Sequence, residues 1–266
     1  MSVLIAIPAR YASTRYPGKP LVSLRGPDGE KTLIRRSWEA AMEVDGIDRV
    51  VVATDDDRIR EHAEGFGADV VMTSDTCGNG TERCAEVVQQ LSGYDVIVNL
   101  QGDAPLTPAW FVEDLVAGLL GDSEADIATP VLRCDGRAVA GFLADRRAGR
   151  VGGTTAVFGT EGRALYFSKE VIPYTGRTYA DDEATPVFHH VGVYAYRPAA
   201  LVAYPSWPVG PLEALEGLEQ LRFLEQGRRV MCVEVAARGR QFWELNNPSD
   251  VAVIESMMQV MGADRV

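Results

Sequence analysis

The stretch Val3-Leu4-Ile5-Ala6-Ile7-Pro8-Ala9-Arg10-Tyr11-Ala12-Ser13-Thr14-Arg15-Tyr16-Pro17-Gly18-Lys19-Pro20-Leu21 decides how this chain is read. It begins as an apolar, β-branched run, Val3 to Ile7, with the length of a buried strand. It then empties into a loop with two arginines, a lysine, hydroxyls, a glycine and several prolines. A strand that ends in a basic loop, at the start of an α/β pattern, is where a phosphate-bearing ligand is expected.

Downstream the pattern alternates. Thr32 is placed to cap a helix to about Val44, and Arg49–Ala53 reads as a second buried strand. The run Asp55-Asp56-Asp57 reads either as a metal site or, better, as the cap of a helix over Arg58–Phe66. Val70–Met72 is a third strand, and a helix follows from near Thr81 to Leu91. Asp95–Leu100 is the fourth strand, with Gln101-Gly102-Asp103 at its carboxyl end. Thr107-Pro108 opens a helix to about Leu120, and Ile127–Val131 is the fifth strand. Five alternations predict an α/β fold with a doubly wound, mostly parallel sheet and right-handed crossovers. Ligands in such sheets sit beyond the carboxyl ends of the strands, where strand order reverses. That places the basic loop and Asp103 across one crevice.

From about residue 133 the pattern changes. Thr154–Phe158, Ala164–Ser168 and Val187–Tyr196 are strand-like and no longer separated by long helices. This predicts an antiparallel extension or inserted subdomain, about 133–205, within a single domain spanning 1–266. A helix over Leu212–Gln226 ending at Gly227, a strand Val230–Val235 and a last helix opened by Asn247-Pro248 complete the chain.

Charge points to the same loop. The chain carries a net −12, which argues against a nucleic-acid or anionic-membrane binder. Residues 1–37 hold seven basic side chains against two acidic ones, a local +5 that leaves −17 elsewhere. Only Lys19, Lys31 and Lys169 are lysines among 26 basic residues, so a lysine inside the loop suggests a compact ammonium rather than a planar fork. No apolar run approaches the roughly 20 residues of a membrane span. The N-terminus has no signal-peptide pattern, so a cytoplasmic protein is expected. Cys77, Cys84, Cys134 and Cys232 form no C-x-x-C pair and read as reduced, buried thiols.

The familiar phosphate and hydrolase signatures are absent: G-x-x-x-x-G-K-[ST], G-x-G-x-x-G after the first strand, and G-x-S-x-G. A phosphate site here must be made by arginine, lysine and backbone amides. Arg10 and Arg15 can fork onto phosphate oxygens, and Lys19 can lie against the charge on a departing pyrophosphate. Asp103, on a turn after glycine, is placed like a magnesium ligand or a turn carboxylate.

In these residues the chain resembles the 3-deoxy-manno-octulosonate cytidylyltransferases, the CMP-Kdo synthetases. The likeness begins at Pro-Ala-Arg-Tyr-Ala-Ser-Thr-Arg-Tyr-Pro-Gly-Lys-Pro-Leu (8–21). It continues through Val-Ala-Thr-Asp-Asp (52–56), Gly-Thr-Glu-Arg (80–83) and Asn-Leu-Gln-Gly-Asp-Ala-Pro (99–105). It resumes at Ala-Leu-Tyr-Phe-Ser-Lys (164–169), His-Val-Gly-Val-Tyr-Ala-Tyr (190–196) and Pro-Leu-Glu…Leu-Glu-Gln-Leu-Arg (211–222).

The resemblance implies a magnesium-dependent nucleotidyltransferase with a glycosyltransferase-A-like sheet, dimeric through the inserted subdomain and serving lipopolysaccharide biosynthesis. The anomeric hydroxyl of an acidic 3-deoxy sugar would attack the α-phosphorus of CTP and release pyrophosphate. Arg10, Arg15, Lys19 and Asp103 would be catalytic, and Ser13, Gly80, Thr81 and Arg83 would bind nucleotide beside Arg10, Arg15 and Lys19. Gln101, Lys169, His190, Tyr194, Glu219 and Gln220 would line the sugar side, and Asp103 and Asn246 would hold the metal.

Three positions depart from the pattern. The family's second metal aspartate is Asn246, a lysine of a Val-Lys-Val-Val-like strand is Thr155, and the arginine after Tyr-Phe-Ser is Lys169. A different acidic acceptor, a nonulosonate or phosphonate, or a CTP-binding protein without catalysis, are the alternative readings.

Overall fold

The computed structural model describes residues 1–13, 16–240 and 243–263. They fall into two compact units, Met1–Glu113 with Ala237–Val266, and Asp114–Ala236.

In the first unit β1 (Val3–Ala9) leads into a hairpin, β2 (Ser23–Gly26) and β3 (Gly29–Thr32), and then α1 (Leu33–Met42). β4 (Arg49–Thr54), α2 (Asp57–Gly65), β5 (Asp69–Met72), α3 (Gly80–Gln90) and β6 (Val96–Leu100) follow. The parallel strands stand in the order β5-β4-β1-β6. The chain steps outward from β1 to β5, then returns to the opposite side of β1 as β6. The reversal of strand order therefore lies between β1 and β6, as the alternation of elements predicts. Val3 to Ile7 are wholly buried, as are Val51, Val52, Ile97 and Val98, the pattern of strands covered on both faces.

The hairpin β2–β3 is not expected from the sequence, because Arg25, Asp28, Glu30 and Lys31 give no apolar alternation. It is held by charge and by one buried face. Arg36 donates to the Leu24 and Gly29 carbonyls and pairs with Asp28, while Lys31 pairs with Asp28 and Glu39. Leu24 packs with Leu33, Leu106, Leu245, Ile254 and Met258. The last two belong to the final helix of the chain, Asp250–Ala263, which begins a turn later than Asn247-Pro248 suggests.

The helix α4 (Ala109–Gly121) carries the chain into the second unit, whose central strand is β7 (Ile127–Asp135). The helix α5 (Gly136–Arg147) corrects the expectation of a helix-poor stretch after residue 133. Its Asp135 cap accepts from the Ala138 N–H at 2.7 Å, and its apolar residues Val139 and Phe142 pack with Cys134 and Val187. Gly, Arg and Asp conceal this helix by diluting its apolar stripe.

β8 (Thr154–Phe158) and β9 (Ala164–Ser168) fall where the sequence places them, and β9–β8–β10–β7 are antiparallel neighbours. The single strand expected over 187–196 is two, β10 (Ala184–His190) and β11 (Val193–Tyr196). Both run antiparallel along β7, but the register shifts by two residues at Val191-Gly192. Thr129 faces this bulge, its hydroxyl donating to the Val193 carbonyl at 2.9 Å.

Beyond β11 come α6 (Pro198–Ala203), α7 (Pro211–Glu216), α8 (Leu221–Glu225) and β12 (Val230–Glu234), which adds to β7 in parallel. The one helix expected over 212–226 is thus broken into α7 and α8. Gly217 enters the left-handed region at φ 62° and ends α7, and a buried bidentate pair ties the two pieces together. Arg222 donates to both Glu213 oxygens at 2.7 and 2.8 Å. The last helix of the first unit is α9, and no described helix is long and apolar enough to cross a membrane.

Candidate active site

A cavity of about 220 Å³ opens in the first unit at the carboxyl ends of β1 and β6. It is walled by the basic loop after β1 (Arg10, Ser13, Lys19), by the start of α3 (Asn79, Gly80, Arg83) and by Gln101, Gly102 and Asp103 after β6. These are the three segments the sequence singles out.

The turn after β6 explains the approach of its two walls. The Ala104 N–H donates to the Gln101 carbonyl at 3.1 Å, which lifts Asp103 to the cavity rim. Gly102 is required there. A Cβ at this position would stand 2.6 Å from the Pro8 carbonyl oxygen at the end of β1. Its own carbonyl accepts from the Ser37 hydroxyl at 3.0 Å, so α1 also braces the turn.

Lys19 and Asp103 meet across the cavity, Nζ to Oδ2 at 2.6 Å, with side chains only 14% and 22% exposed. The pair keeps both charges compensated. It also brings together the two groups with most to offer a metal-bound triphosphate, an ammonium for phosphate oxygen and a carboxylate for a cation.

At the third wall Asn79 caps α3, its side chain accepting from the Glu82 N–H at 2.8 Å, while Glu82 Oε2 accepts from the Gly78 N–H at 2.7 Å. This fixes the N-terminus of α3, the positive end of its dipole, against the cavity. Arg83 is buried and already engaged, with the Thr73 hydroxyl and with Asp55 at 3.3 Å. Thr81, in the same turn, is buried and not among the cavity-lining residues.

The sequence reading missed Asn79 and Cys77 in the cavity wall. The Asn-x-x-Glu spacing was the available signal for Asn79, whereas nothing local marks Cys77. Burial pushes its thiol up to about 12, so it stays protonated. All four cysteines are free and buried.

Arg15 lies outside the described residues, as does Thr14. Of the other basic residues in 1–37, Arg10 is exposed at the cavity, whereas Lys31, Arg35 and Arg36 are spent on Asp28 and Glu39. The local +5 is therefore divided among the described residues: Lys31, Arg35 and Arg36 pair with Asp28 and Glu39, Arg25 pairs with Glu30, and Arg10 and Lys19 line the cavity. Among Asp55, Asp56 and Asp57, the second caps α2 through the Arg58 N–H at 3.0 Å, and the others pair with Arg83 and Arg60. No group of three or more His, Cys, Asp or Glu suited to a metal occurs among the described residues.

Asn246 follows the residue that meets the Asp103 turn. The Leu245 N–H donates to the Asp103 carbonyl at 2.9 Å, which brings the next residue alongside the turn. The Asn246 Nδ2 donates to Glu244 at 3.4 Å, and Asn246 is not among the cavity-lining residues.

In the second unit the remaining candidates form their own cluster. His190 lies between Phe167 and Tyr194, with ring centroids 5.0 and 5.7 Å away. Burial holds its imidazole down at about 3, so it is neutral. Its Nε2 is 2.9 Å from the Thr129 hydroxyl, which is also 2.9 Å from the Val193 carbonyl. Tyr194 donates to Gln220 Oε1 at 3.1 Å, and the Glu219 carbonyl accepts from Tyr204 at 3.1 Å. The Lys169 N–H donates to Glu216, which also accepts from Ser168 at 2.6 Å. Thr155 serves the local turn, donating to the Glu170 carbonyl at 2.7 Å and accepting from the Ile172 N–H at 3.2 Å.

The sequence profile of the cytidylyltransferases matches residues 4–230. The chain belongs to the cytidylyltransferase family. Among its cytidylyltransferase relatives, the 3-deoxy-manno-octulosonate cytidylyltransferase of Maricaulis maris is 41% identical, over 98% of this chain and 99% of its own length. The enzyme of the same description from Zea mays is 39% identical over 95% of this chain and 80% of its own. A solved structure of CMP:2-keto-3-deoxy-manno-octonic acid synthetase complexed with CTP superposes on this cytidylyltransferase with a TM-score of 0.83 at 32% identity, covering all of both chains. A cytidylyltransferase from Leptospira borgpetersenii, 18% identical with a TM-score of 0.61 over 96% of this chain and 86% of its own, shares the fold.

Proposed function

We propose that this cytidylyltransferase transfers CMP from CTP to the anomeric hydroxyl of 3-deoxy-manno-octulosonate and releases pyrophosphate. The observation that carries the reading is the Lys19–Asp103 pair, at 2.6 Å across a cavity walled by the basic loop, the α3 N-terminus and the Gln101-Gly102-Asp103 turn. The acceptor is taken from the relatives, which match over nearly the whole chain.

Phosphoryl transfer asks the protein for placement and charge compensation more than for covalent chemistry. The triphosphate would enter with Arg10, Arg15 and Ser13 on its oxygens and the amides of Gly80 and its neighbours toward its negative charge. Lys19 would leave Asp103 for the phosphate oxygens, where its ammonium opposes the charge that grows on the leaving pyrophosphate. The freed Asp103 carboxylate and the Asn246 amide oxygen are hard oxygen donors, and they suit a magnesium ion that takes its other ligands from triphosphate and water. When bound, that ion supplies Lewis-acid polarisation of the phosphoryl oxygens. One carboxylate and one amide supply less charge than two carboxylates, so this pair holds a divalent cation weakly in the absence of nucleotide.

Gln101, Lys169, His190, Tyr194, Glu219 and Gln220 are proposed for the acceptor, on the strength of the motifs that carry them. A neutral His190 serves there as a fixed dipole, not as a general base. A homodimer is proposed through the second unit, where Leu165 and Leu215 are 69% and 83% exposed. A sedimentation mass of one chain would remove that part of the reading.

Pyrophosphate release with CTP and a panel of acidic acceptors tests the function. We expect 3-deoxy-manno-octulosonate to be preferred over nonulosonate and phosphonate acceptors. Preference for one of the latter would reassign the acceptor, and CTP binding without turnover on any acceptor would remove the catalytic reading.

A further inference from the structure

The basic loop is closed on itself at one residue. The Tyr11 carbonyl accepts both the Ser13 and the Gly18 N–H, each at 2.9 Å, so the chain leaves and returns at Tyr11. Gly18 adopts φ +72°, and a Cβ there would lie 3.1 to 3.2 Å from the Tyr11 ring. The ring thus presses against the residue that precedes Lys19, and no side chain other than hydrogen fits the position without moving it.

A third layer lies on the same ring. The Arg58 guanidinium carbon is 3.4 Å from the Tyr11 ring centroid. Arg58 is itself fixed, its Nε and Nη2 donating to the two Asp56 oxygens at 2.9 and 2.6 Å. Asp56 caps α2 through the backbone N–H of Arg58, at 3.0 Å, so the helix does not need the Arg58 side chain for its own cap. Nor do Tyr11 and Arg58 line the cavity. Because Asp56 offsets the Arg58 charge, the guanidinium adds little net field at the triphosphate. What it supplies is a flat surface, held at a helix N-terminus, on which the Tyr11 ring rests, while Tyr16 of the same loop packs on the Leu24–Leu33 cluster.

We propose that Arg58 is a positioning residue for the triphosphate loop, acting through Tyr11 and Gly18 to hold Lys19 and Arg10 in their nucleotide-binding places. The inference rests on the reading of this loop as the triphosphate site. An exposed cation–π contact corresponds to about two- to five-fold in an equilibrium constant, and that sets the size of the effect.

The test is steady-state kinetics of the full chain with CTP varied at saturating acceptor, for Arg58→Ala, Tyr11→Leu, Tyr11→Phe and the double variant Arg58→Ala/Tyr11→Leu. Arg58→Ala and Tyr11→Leu are each expected to raise the KM for CTP about two- to five-fold with kcat within about two-fold. Tyr11→Phe keeps the ring and is expected to match the parent. The double variant is expected to be no worse than the weaker single variant, because both remove one contact. An unchanged KM in Arg58→Ala overturns the proposal, as does a double variant whose effects multiply. A fall in kcat with no change in KM also overturns it, since that is what loss of folded protein alone produces. If the parent chain turns over no CTP the functional reading itself fails, whereas normal turnover with an indifferent Arg58 removes only this inference.

Discussion

Replacing Lys19 by methionine separates two roles of the Lys19–Asp103 pair. The substitution keeps the unbranched apolar stem and removes the terminal ammonium, so Asp103, 22% exposed, is left with its partner gone. Truncating one partner of a fully buried pair costs about 3–5 kcal/mol. The residual exposure of 14% and 22% lets water reach both groups, which lowers the expected loss to about 2–3 kcal/mol. Adding Asp103→Asn removes the stranded carboxylate, so the double variant should regain most of that stability, ending within about 1 kcal/mol of the parent. Activity should behave otherwise. On the proposed reading Lys19 opposes the charge on the leaving pyrophosphate and Asp103 holds the cation, so each single change is expected to lose about 10²–10³ in kcat, and the double variant should stay at that floor. Urea unfolding gives the first quantity from the midpoint at constant slope, and pyrophosphate release gives the second. Recovery of activity together with stability in the double variant would refute the reasoning, because the pair would then be structural only. A Lys19→Met protein as stable as the parent would refute the pair itself.

Further predictions follow from the two units. Burial holds His190 at about 3 and His189 at about 4, against 6.5 when unfolded, so both are neutral in the fold. The unfolded chain binds more protons below pH 6.5, hence this stability is complete above that pH and is lost as pH falls toward the folded values. The slope is up to about 1.4 kcal/mol per pH unit for each histidine, and His190→Gln should flatten the urea midpoint between pH 6.5 and 4. Equal slopes in the two proteins would contradict it. Gly102→Ala, with its Cβ 2.6 Å from the Pro8 carbonyl, should cost about 1–3 kcal/mol in thermal unfolding and weaken CTP binding; an unshifted melting temperature would show that the β1 and β6 ends part freely. Asn246→Asp adds a carboxylate next to the residue that meets the Asp103 turn and should lower the magnesium concentration for half-maximal rate, while a chelator should abolish turnover. An unchanged magnesium midpoint would place Asn246 away from the cation.

The first unit was the more legible because its physics is local. A parallel strand covered on both faces must read as an apolar run, and Val3–Ile7, Val51–Val52 and Ile97–Val98 do so. Asp56 and Thr107-Pro108 announce helix starts through the backbone groups they satisfy or omit. The hairpin over 23–32 stayed hidden since its stability comes from Arg36 and Lys31 bridging to Asp28, residues that look solvated in sequence. In the second unit the break at Val191-Gly192 depends on register against β7, and the break at Gly217 on a buried Glu213–Arg222 pair. Both are decided by tertiary contacts that no window along the chain contains. The site divides in the same way. Lys19 and Asp103 could be read from loop chemistry, and Gly80 only through the resemblance, but Arg83 is bound to Asp55 and Thr73, and a sequence cannot say that an arginine is already spent. Arg58 was invisible as a partner of Tyr11 for the same reason, being 47 residues away and joined to it only by the fold.

The proposed exchange of partners by Lys19 and Asp103 can be seen in a crystal structure of the chain with magnesium and a non-hydrolysable CTP analogue. The 2.6 Å contact is expected to open, with Lys19 Nζ on a phosphate oxygen and the Asp103 carboxylate on the cation. A nucleotide bound in the cavity with that contact still closed, or a nucleotide bound elsewhere, would contradict it.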